Sequence, residues 1–429
     1  MKLSSSPKAY YQGTHRAKAP EDTLRHVRSR IKASGLPVLR QIFRIDNLDV
    51  IGIPVFAVTH TDKSGNTMLP SWGKGVDEAL ACASGLMERV ERYSACDVEV
   101  HSNEIVYDSF ESLGKKSAIS RWEFVPCNLQ RKILTKRALD RRVMPWSRCF
   151  SLMDSKDVYV PGNLVFFRKD FNPGDFSDTT GLASGNSLEE AILHGLCEVI
   201  ERHVEDVVHW NKKKTPAINI HSINDPDILL IIKKLKSCGI RLNISYLSGS
   251  FKVPVIRVTG YGISGPYPDA YSFYGAVGAH PDKKVALLRA LTEFVQSRAS
   301  LFYRLDHGLA HQKMANRLPD FITEFYDDVI DPEKMLDFND VVSYDNDDFL
   351  KDIVLIKDIL SKKGCEILIK DLTHNAFGIP VVRVIVKGLQ PGLFGIGIVD
   401  LNHKVARVSK HLKYHSYLVK NIKHIALGG

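Results

Sequence analysis

The chain lacks a CxxC pair. Its seven cysteines (Cys82, Cys96, Cys127, Cys149, Cys197, Cys238 and Cys365) are odd in number and scattered. They support neither a disulfide framework nor a thiolate zinc site, and read as small core residues. No run approaches the roughly eighteen apolar residues of a membrane span. The start, MKLSSSPKAYYQ, lacks the apolar stretch of a signal peptide, so the expectation is a cytoplasmic protein. There is also no GxxxxGK[ST]: SWGKGVDEA offers only a GKG, and GAVGAH is a short glycine turn. A nucleotide would therefore need an uncommon fold. Finally, despite a net charge of +9, no finger and no interleaved basic and aromatic platform is present, which argues against nucleic acid as a partner.

What is there is an ordinary globular composition, 44% hydrophobic and 25% charged over 429 residues, long enough for a sizeable core. The charge is unevenly spread. From Asp320 to Asp348 eleven acids face one Lys334, a net −10, so the rest of the chain carries about +19 against the total of +9. That excess favours phosphates or an acidic protein partner.

One pattern, a basic amphipathic helix ending at glycine and followed by two strands, occurs three times: Thr23 to His60, Leu229 to Gly260 and Ile353 to Gly388. Gly35, Gly239 and Gly364 fit the position after a helix where a left-handed backbone is needed. Pro54, Pro254 and Pro380 each precede the second strand, where a missing N–H is tolerated. A further helix is expected after each copy. The chain is thus α+β, and periodicity leaves open whether its strands form one sheet or several. The expected organisation is an N-terminal unit over residues 1–70, a core over 71–319, an acidic surface connection over 320–350, and a C-terminal unit over 351–429. The last ends in a helix around His403 to His424 with six Lys or Arg and no acid.

Three long helices stand out, near Val76 to Ala95, Leu188 to Val207 and Lys283 to Phe302. In the first, Glu88, Glu91 and Arg92 share a narrow arc. In the second, at about 100° per residue from Glu190, Glu201 falls at about 20°, Glu198 at about 80° and Arg202 at about 120°. In the third, Arg289, Glu293 and Gln296 form one stripe. Carboxylates gathered beside apolar packing repel one another and lose hydration unless cations compensate. Clustered Glu without metal-spaced His or Cys points to oxygen-coordinated Mg²⁺, which retains phosphate oxygens as ligands that neighbouring arginines could share. Together these features describe a nucleoside-triphosphate site.

The segments SWGKGVDEALACASGLMERVERYSA, TTGLASGNSLEEAILHGLCEVIERH and GAHPDKKVALLRALTEFVQSR resemble, in order and separation, the three signature blocks of YcaO proteins. The likeness runs from about Gly13 to Gly388. It implies the YcaO-type ATP-binding fold, in which glutamates hold Mg²⁺ against the triphosphate. By matching motifs, Glu88, Glu91, Glu190, Glu198, Glu201 and Glu293 would take the metal roles. Arg202 and Arg289 would contact phosphate, and Ser84 and Asn186 would line the nucleotide. GTHRAKAPEDTL looks like the family's nucleotide-contacting segment, with Arg16 where Lys is common and Thr23 where Ser occurs. Gln296 and Arg298 are assigned as neighbours of the nucleotide. No catalytic side chain is singled out; His194 and His280 read as satisfied structural histidines.

The resemblance further implies ATP-dependent phosphorylation of a peptide amide oxygen combined with attack by a nucleophile. GTHR and DLTHNAFGIPVVRVIVKGL resemble the methanogen subgroup that thioamidates a glycine of the methyl-coenzyme M reductase alpha subunit. That implies this protein as substrate, a sulfide donor and a TfuA-type accessory protein, and it allows a homodimer. The alternatives are an azoline- or amidine-forming cyclodehydratase and a non-catalytic ATP-binding accessory protein.

Overall fold

The structure is a computed structural model that describes residues 1–60, 70–124, 136–167, 179–211, 213–262, 273–308 and 330–389. Along the chain, Pro20–Ser34 (α1) leads into strands Gln41–Arg44 (β1), Val55–Thr59 (β2) and Ser71–Lys74 (β3), then helix Glu78–Cys96 (α2). Strand Met144–Ser151 (β4) and the short Leu182–Ser184 (β5) precede helix Leu188–Trp210 (α3). Next come Thr215–Ile218 (β6), Pro226–Ser237 (α4), Arg241–Tyr246 (β7), Val255–Tyr261 (β8), Phe273–Ala279 (β9) and helix Lys283–Asp306 (α5). The last elements are Ile330–Leu336 (β10), Phe349–Ser361 (α6), Glu366–Asp371 (β11) and Val381–Lys387 (β12).

The three copies of the repeat are present as α1-β1-β2, α4-β7-β8 and α6-β11-β12. Gly35, Gly239 and Gly364 have φ of 66°, 74° and 69°, the left-handed backbone that lets each helix stop without strain. The question of one sheet or several resolves to one sheet per copy. β1-β2-β3 form a three-stranded sheet. β9-β8-β7-β6-β10 form a five-stranded one, and β4-β11-β12-β5 belong to a six-stranded one. In each, the second strand of the repeat pairs antiparallel with a third: β2 with β3, β8 with β9, and β12 with β5. That third strand runs into one of the carboxylate helices.

The helix expected after the third copy lies in 403–424, outside the described residues. In the structure the place after β12 is taken by β5 and α3, which come from far earlier in the chain. The acidic segment expected as a surface connection contributes the strand β10, parallel to β6, and buries Phe338 and Val341 in a core cluster; residues 320–329 are outside the described residues.

The helices seat themselves by their apolar sides. Leu287, Leu291, Phe294 and Val295 of α5 join Ile256 and Val258 of β8, while Leu193, Leu196 and Ile200 of α3 join Val382 and Val384 of β12. Each such side chain contributes about 1.5–3 kcal/mol, enough to fix which stripe of each helix remains open. Among the described residues no helix is long and apolar enough to cross a membrane.

Candidate active site

Three strand-to-helix junctions are built alike. The Asp77 carboxylate accepts from Leu80 N, the Ser187 hydroxyl from Glu190 N, and the Asp282 carboxylate from Lys284 N, so each capping side chain occupies a free N–H of its helix. Four residues after each cap stands an alanine, Ala81, Ala191 or Ala286, whose N–H returns to the cap carbonyl. The strands press onto these first turns. A Cβ on Gly73 would lie 2.1 Å from the Ala81 carbonyl oxygen, and one on Gly278 would lie 2.2 Å from that of Ala286.

Counting from the caps exposes a common register. From the fourth to the thirteenth residue of each helix every position is buried except the seventh and eleventh: Ser84 and Glu88, His194 and Glu198, Arg289 and Glu293. The fourteenth residues are Glu91, Glu201 and Gln296. Positions seven, eleven and fourteen fall within an arc of about 60°, so each helix turns one polar stripe out of its packing.

The stripes meet in a closed ring, each reaching the strand of the next unit. Glu91 of α2 accepts from Ser184 N at 2.9 Å and from its hydroxyl at 2.8 Å, on β5. Glu201 of α3 accepts from Ala279 N at 3.1 Å, on β9. Glu293 of α5 pairs with Lys74 on β3. Within their own units, Glu88 accepts from Trp72 N at 2.9 Å and Glu198 from Gly181 N at 3.1 Å. Arg92 pairs with Glu88, and Arg202 lies 3.9 Å and 3.8 Å from Glu198 and Glu201. Burial, then the charge of Glu88, pushes the Glu91 carboxyl up to about 8, and burial raises Glu198 against the opposing Arg202. Burial, then Arg289, lowers Lys74 to about 7, with Glu201 and Glu88 acting the other way.

Glu190 stands at a neighbouring station. It accepts from Ala17 N at 3.0 Å, Asn186 N at 3.2 Å and Arg16 at 3.1 Å. Thr23 donates to Asn186 Oδ1 at 2.9 Å. Arg16, Thr23 and Asn186 join Pro20, Leu80, Ala83 and Met87 around a small cleft, with polar groups at one side and apolar walls at the other.

Of the residues singled out from the sequence, the structure brings Glu88, Glu91, Glu198, Glu201, Glu293, Arg202 and Arg289 to one place and Arg16, Thr23, Asn186 and Glu190 to the next. Ser84 and Gln296 lie half-buried on the same stripes. Arg298 sits two and a half turns beyond Arg289, in a buried ion pair with Asp49 at 2.7 Å. Sequence reading missed Lys74, which stands in the GKG set aside as an incomplete phosphate loop. Lining up the three helix starts would have shown that strand end as part of the site.

The donor set fits a hard divalent cation bound with a triphosphate. Carboxylates displaced toward protonation by burial and mutual repulsion are ones whose charge this chain only partly compensates. Arg289 Nε and Arg92 Nε are buried without a hydrogen-bond partner among the described residues, as suits groups that await a phosphate oxygen. No three His, Cys, Asp or Glu side chains among the described residues gather on one point as a finished metal cage. Mg²⁺ needs none, since it takes one or two carboxylates and completes its shell with phosphate and water.

Residues 72–390 match the family described as YcaO cyclodehydratase, ATP- and Mg²⁺-binding. An uncharacterised protein of Methanothermobacter thermautotrophicus is 28% identical over 387 residues, covering 86% of this chain and 94% of the relative. An uncharacterised protein from the tfuA 3′ region of Rhizobium leguminosarum bv. trifolii is 27% identical over 409 residues, covering 89% and 90%. The structure of YcaO from Methanopyrus kandleri bound with AMPPCP and Mg²⁺ superposes with a TM-score of 0.72 at 22% identity, over 94% of this chain and 100% of that one. A heterocyclase in complex with substrate and cofactor gives 0.74 at 23% identity over 92% of this chain, which spans 55% of the heterocyclase.

Proposed function

The chain belongs to the YcaO family of ATP- and Mg²⁺-binding, peptide-modifying enzymes, and on that premise we propose that it exchanges the oxygen of a peptide-backbone amide for sulfur. The observation that carries the reading is the convergence of three helix stripes on one charged site beside an apolar cleft. Arg16, Thr23 and Asn186 hold the nucleoside at the cleft, with Ser84 and Gln296 on the adjoining stripes. Arg202 and Arg289 take the phosphates, and Arg298 supports α5 from its pair with Asp49. Glu88, Glu91, Glu190, Glu198, Glu201 and Glu293 would hold Mg²⁺, which would supply positive charge against the transferring phosphoryl group.

An amide oxygen is a poor leaving group. Sulfide adds to the carbonyl carbon, the oxygen takes the γ-phosphoryl of ATP, and the carbon–oxygen bond then breaks. The products are thioamide, ADP and inorganic phosphate, with the amide oxygen in the phosphate. The chain's own contribution is orientation and the fixed positive charge of Arg202 and Arg289. The methanogen relative and the likeness of GTHR and DLTHNAFGIPVVRVIVKGL to the methanogen subgroup support a glycine of the methyl-coenzyme M reductase alpha subunit as target. The tfuA-region relative supports a TfuA-type accessory protein, with an external sulfide donor.

Incubation of the protein with a glycine-containing peptide of that subunit, ATP, Mg²⁺ and sulfide, read by mass spectrometry, is expected to give a gain of about 16 Da. The gain should disappear in Glu201→Gln, with the far-ultraviolet circular dichroism unchanged. The family's cyclodehydratase character favours a second reading, azoline formation, which shows as a loss of about 18 Da in the same spectra. Unchanged peptide mass in the presence of nucleotide-bound protein and TfuA-type protein counts against both.

A further inference from the structure

His194 has no part in the roles assigned above. It occupies the seventh place after the Ser187 cap, where α2 carries Ser84 and α5 carries Arg289, and in all three helices that place is half-buried between buried neighbours. The site stripe therefore has three members at this level, and the third is an imidazole.

Its surroundings define what that imidazole does. Burial, then the charges of Arg16 and Arg289, hold it well below its usual pKa, while a hydrogen bond to the Ser184 backbone acts in the opposite sense. A contact that favours the protonated form is one in which the ring donates toward the Ser184 backbone. Arg16 NH1 lies 3.4 Å from both ring nitrogens. Equal distances place the guanidinium nitrogen over the ring rather than in line with one lone pair. The same nitrogen donates to Glu190 Oε1 at 3.1 Å. The guanidinium is thus gripped between a carboxylate and a flat ring, at the wall of the cleft that Arg16 shares with Thr23 and Asn186.

We propose that His194 is a positioning residue for the nucleotide, a flat support that holds the Arg16 guanidinium against Glu190 so that the bound nucleotide meets an arginine already in place. The proposal rests on the nucleotide reading of the cleft and adds a residue to it. The Arg16 side chain is about one quarter exposed, 23%. Without the ring it would regain rotamers that the ligand must then freeze, which weakens binding more than it slows chemistry.

The test is calorimetric titration of the full chain with AMPPCP and Mg²⁺, together with KM for ATP and kcat, for wild type, His194→Ala, His194→Phe and His194→Asn. His194→Ala is expected to raise Kd and KM about five- to tenfold, by more than kcat falls. The effect should be absent when the same change is made in Arg16→Ala. His194→Phe keeps a flat face and loses the Ser184 bond; His194→Asn does the reverse. Recovery of affinity in Phe and not in Asn supports a platform for Arg16, and the opposite order overturns it in favour of a structural tie to Ser184. If His194→Ala fails to fold, the Phe and Asn pair decides alone. Nucleotide binding indifferent to every His194 variant, or an equal loss in the Arg16→Ala background, overturns this inference and leaves the functional reading standing. A wild-type protein that binds no nucleotide overturns both.

Discussion

Buried histidines away from the carboxylates make acid a threat to this protein. His15 is lowered to about 4 by burial and then by Lys8, with Asp345 opposing. His101 is lowered to about 4 by burial and then by Lys370 and His374, with Asp371 and Asp97 opposing. In the unfolded chain both titrate near the ordinary value of about 6.5. Between about 6.5 and about 4 the unfolded state therefore binds more protons, and stability falls as pH falls through that window. The urea midpoint is expected to drop between pH 7 and pH 5, and His15→Asn with His101→Asn should flatten the dependence. A midpoint constant over that range would show that these rings are not held neutral. At this scale the sequence was only partly legible. The glutamates were assigned by matching the YcaO signature blocks, and the narrow arcs they share on each helix were the only hint in the spacing itself. His194 and Lys74 could not, because a lone His or Lys acquires its meaning from neighbours on other segments.

Whole elements were easier to read, for a physical reason. α1, α4 and α6 are bounded by local chemistry, Pro20 and Gly35, Pro226 and Gly239, Asp348 and Gly364, and local chemistry lies in adjacent letters. The pairing of β12 with β5 could not be read, since nothing near residue 381 specifies a strand two hundred residues earlier in the chain. The junctions themselves are demanding. A methyl group at Gly278 must displace the backbone of Ala286, 2.2 Å away, and of Ala290, 2.7 Å away. Gly278→Ala is expected to cost about 2–3 kcal/mol or more in chemical denaturation. Gly35→Ala meets nothing within 4 Å and bears only its φ of 66°, so about 1 kcal/mol is expected there. Equal losses in the two variants would mean that the strand end does not bear on the helix as described.

Across the molecule the site sets acids against bases. The carboxyls of Glu88, Glu91, Glu198, Glu201, Glu205 and Glu293 face Lys74, Arg92, Arg202 and Arg289, with burial pushing Glu91 up to about 8 and Lys74 down to about 7. A triphosphate alone or a divalent cation alone adds charge of one sign, whereas the two together largely cancel. Nucleotide and Mg²⁺ are therefore expected to tighten each other's binding about tenfold or more, by the same factor in both directions. Titration of AMPPCP with and without Mg²⁺ measures it, and affinities within about twofold would remove the argument.

The way the ring closes also has a consequence for the protein's birth. α3 leaves the ribosome before β11 and β12, the strands on which it must lie, have been translated, a delay of roughly ten to thirty seconds at ordinary synthesis rates. Until then all three carboxylate helices exist, but α3 lacks the strands that seat its apolar side. A chain that stops before β12 is therefore expected to leave the Leu193, Leu196 and Ile200 face of α3 uncovered, a surface of the kind chaperones recognise.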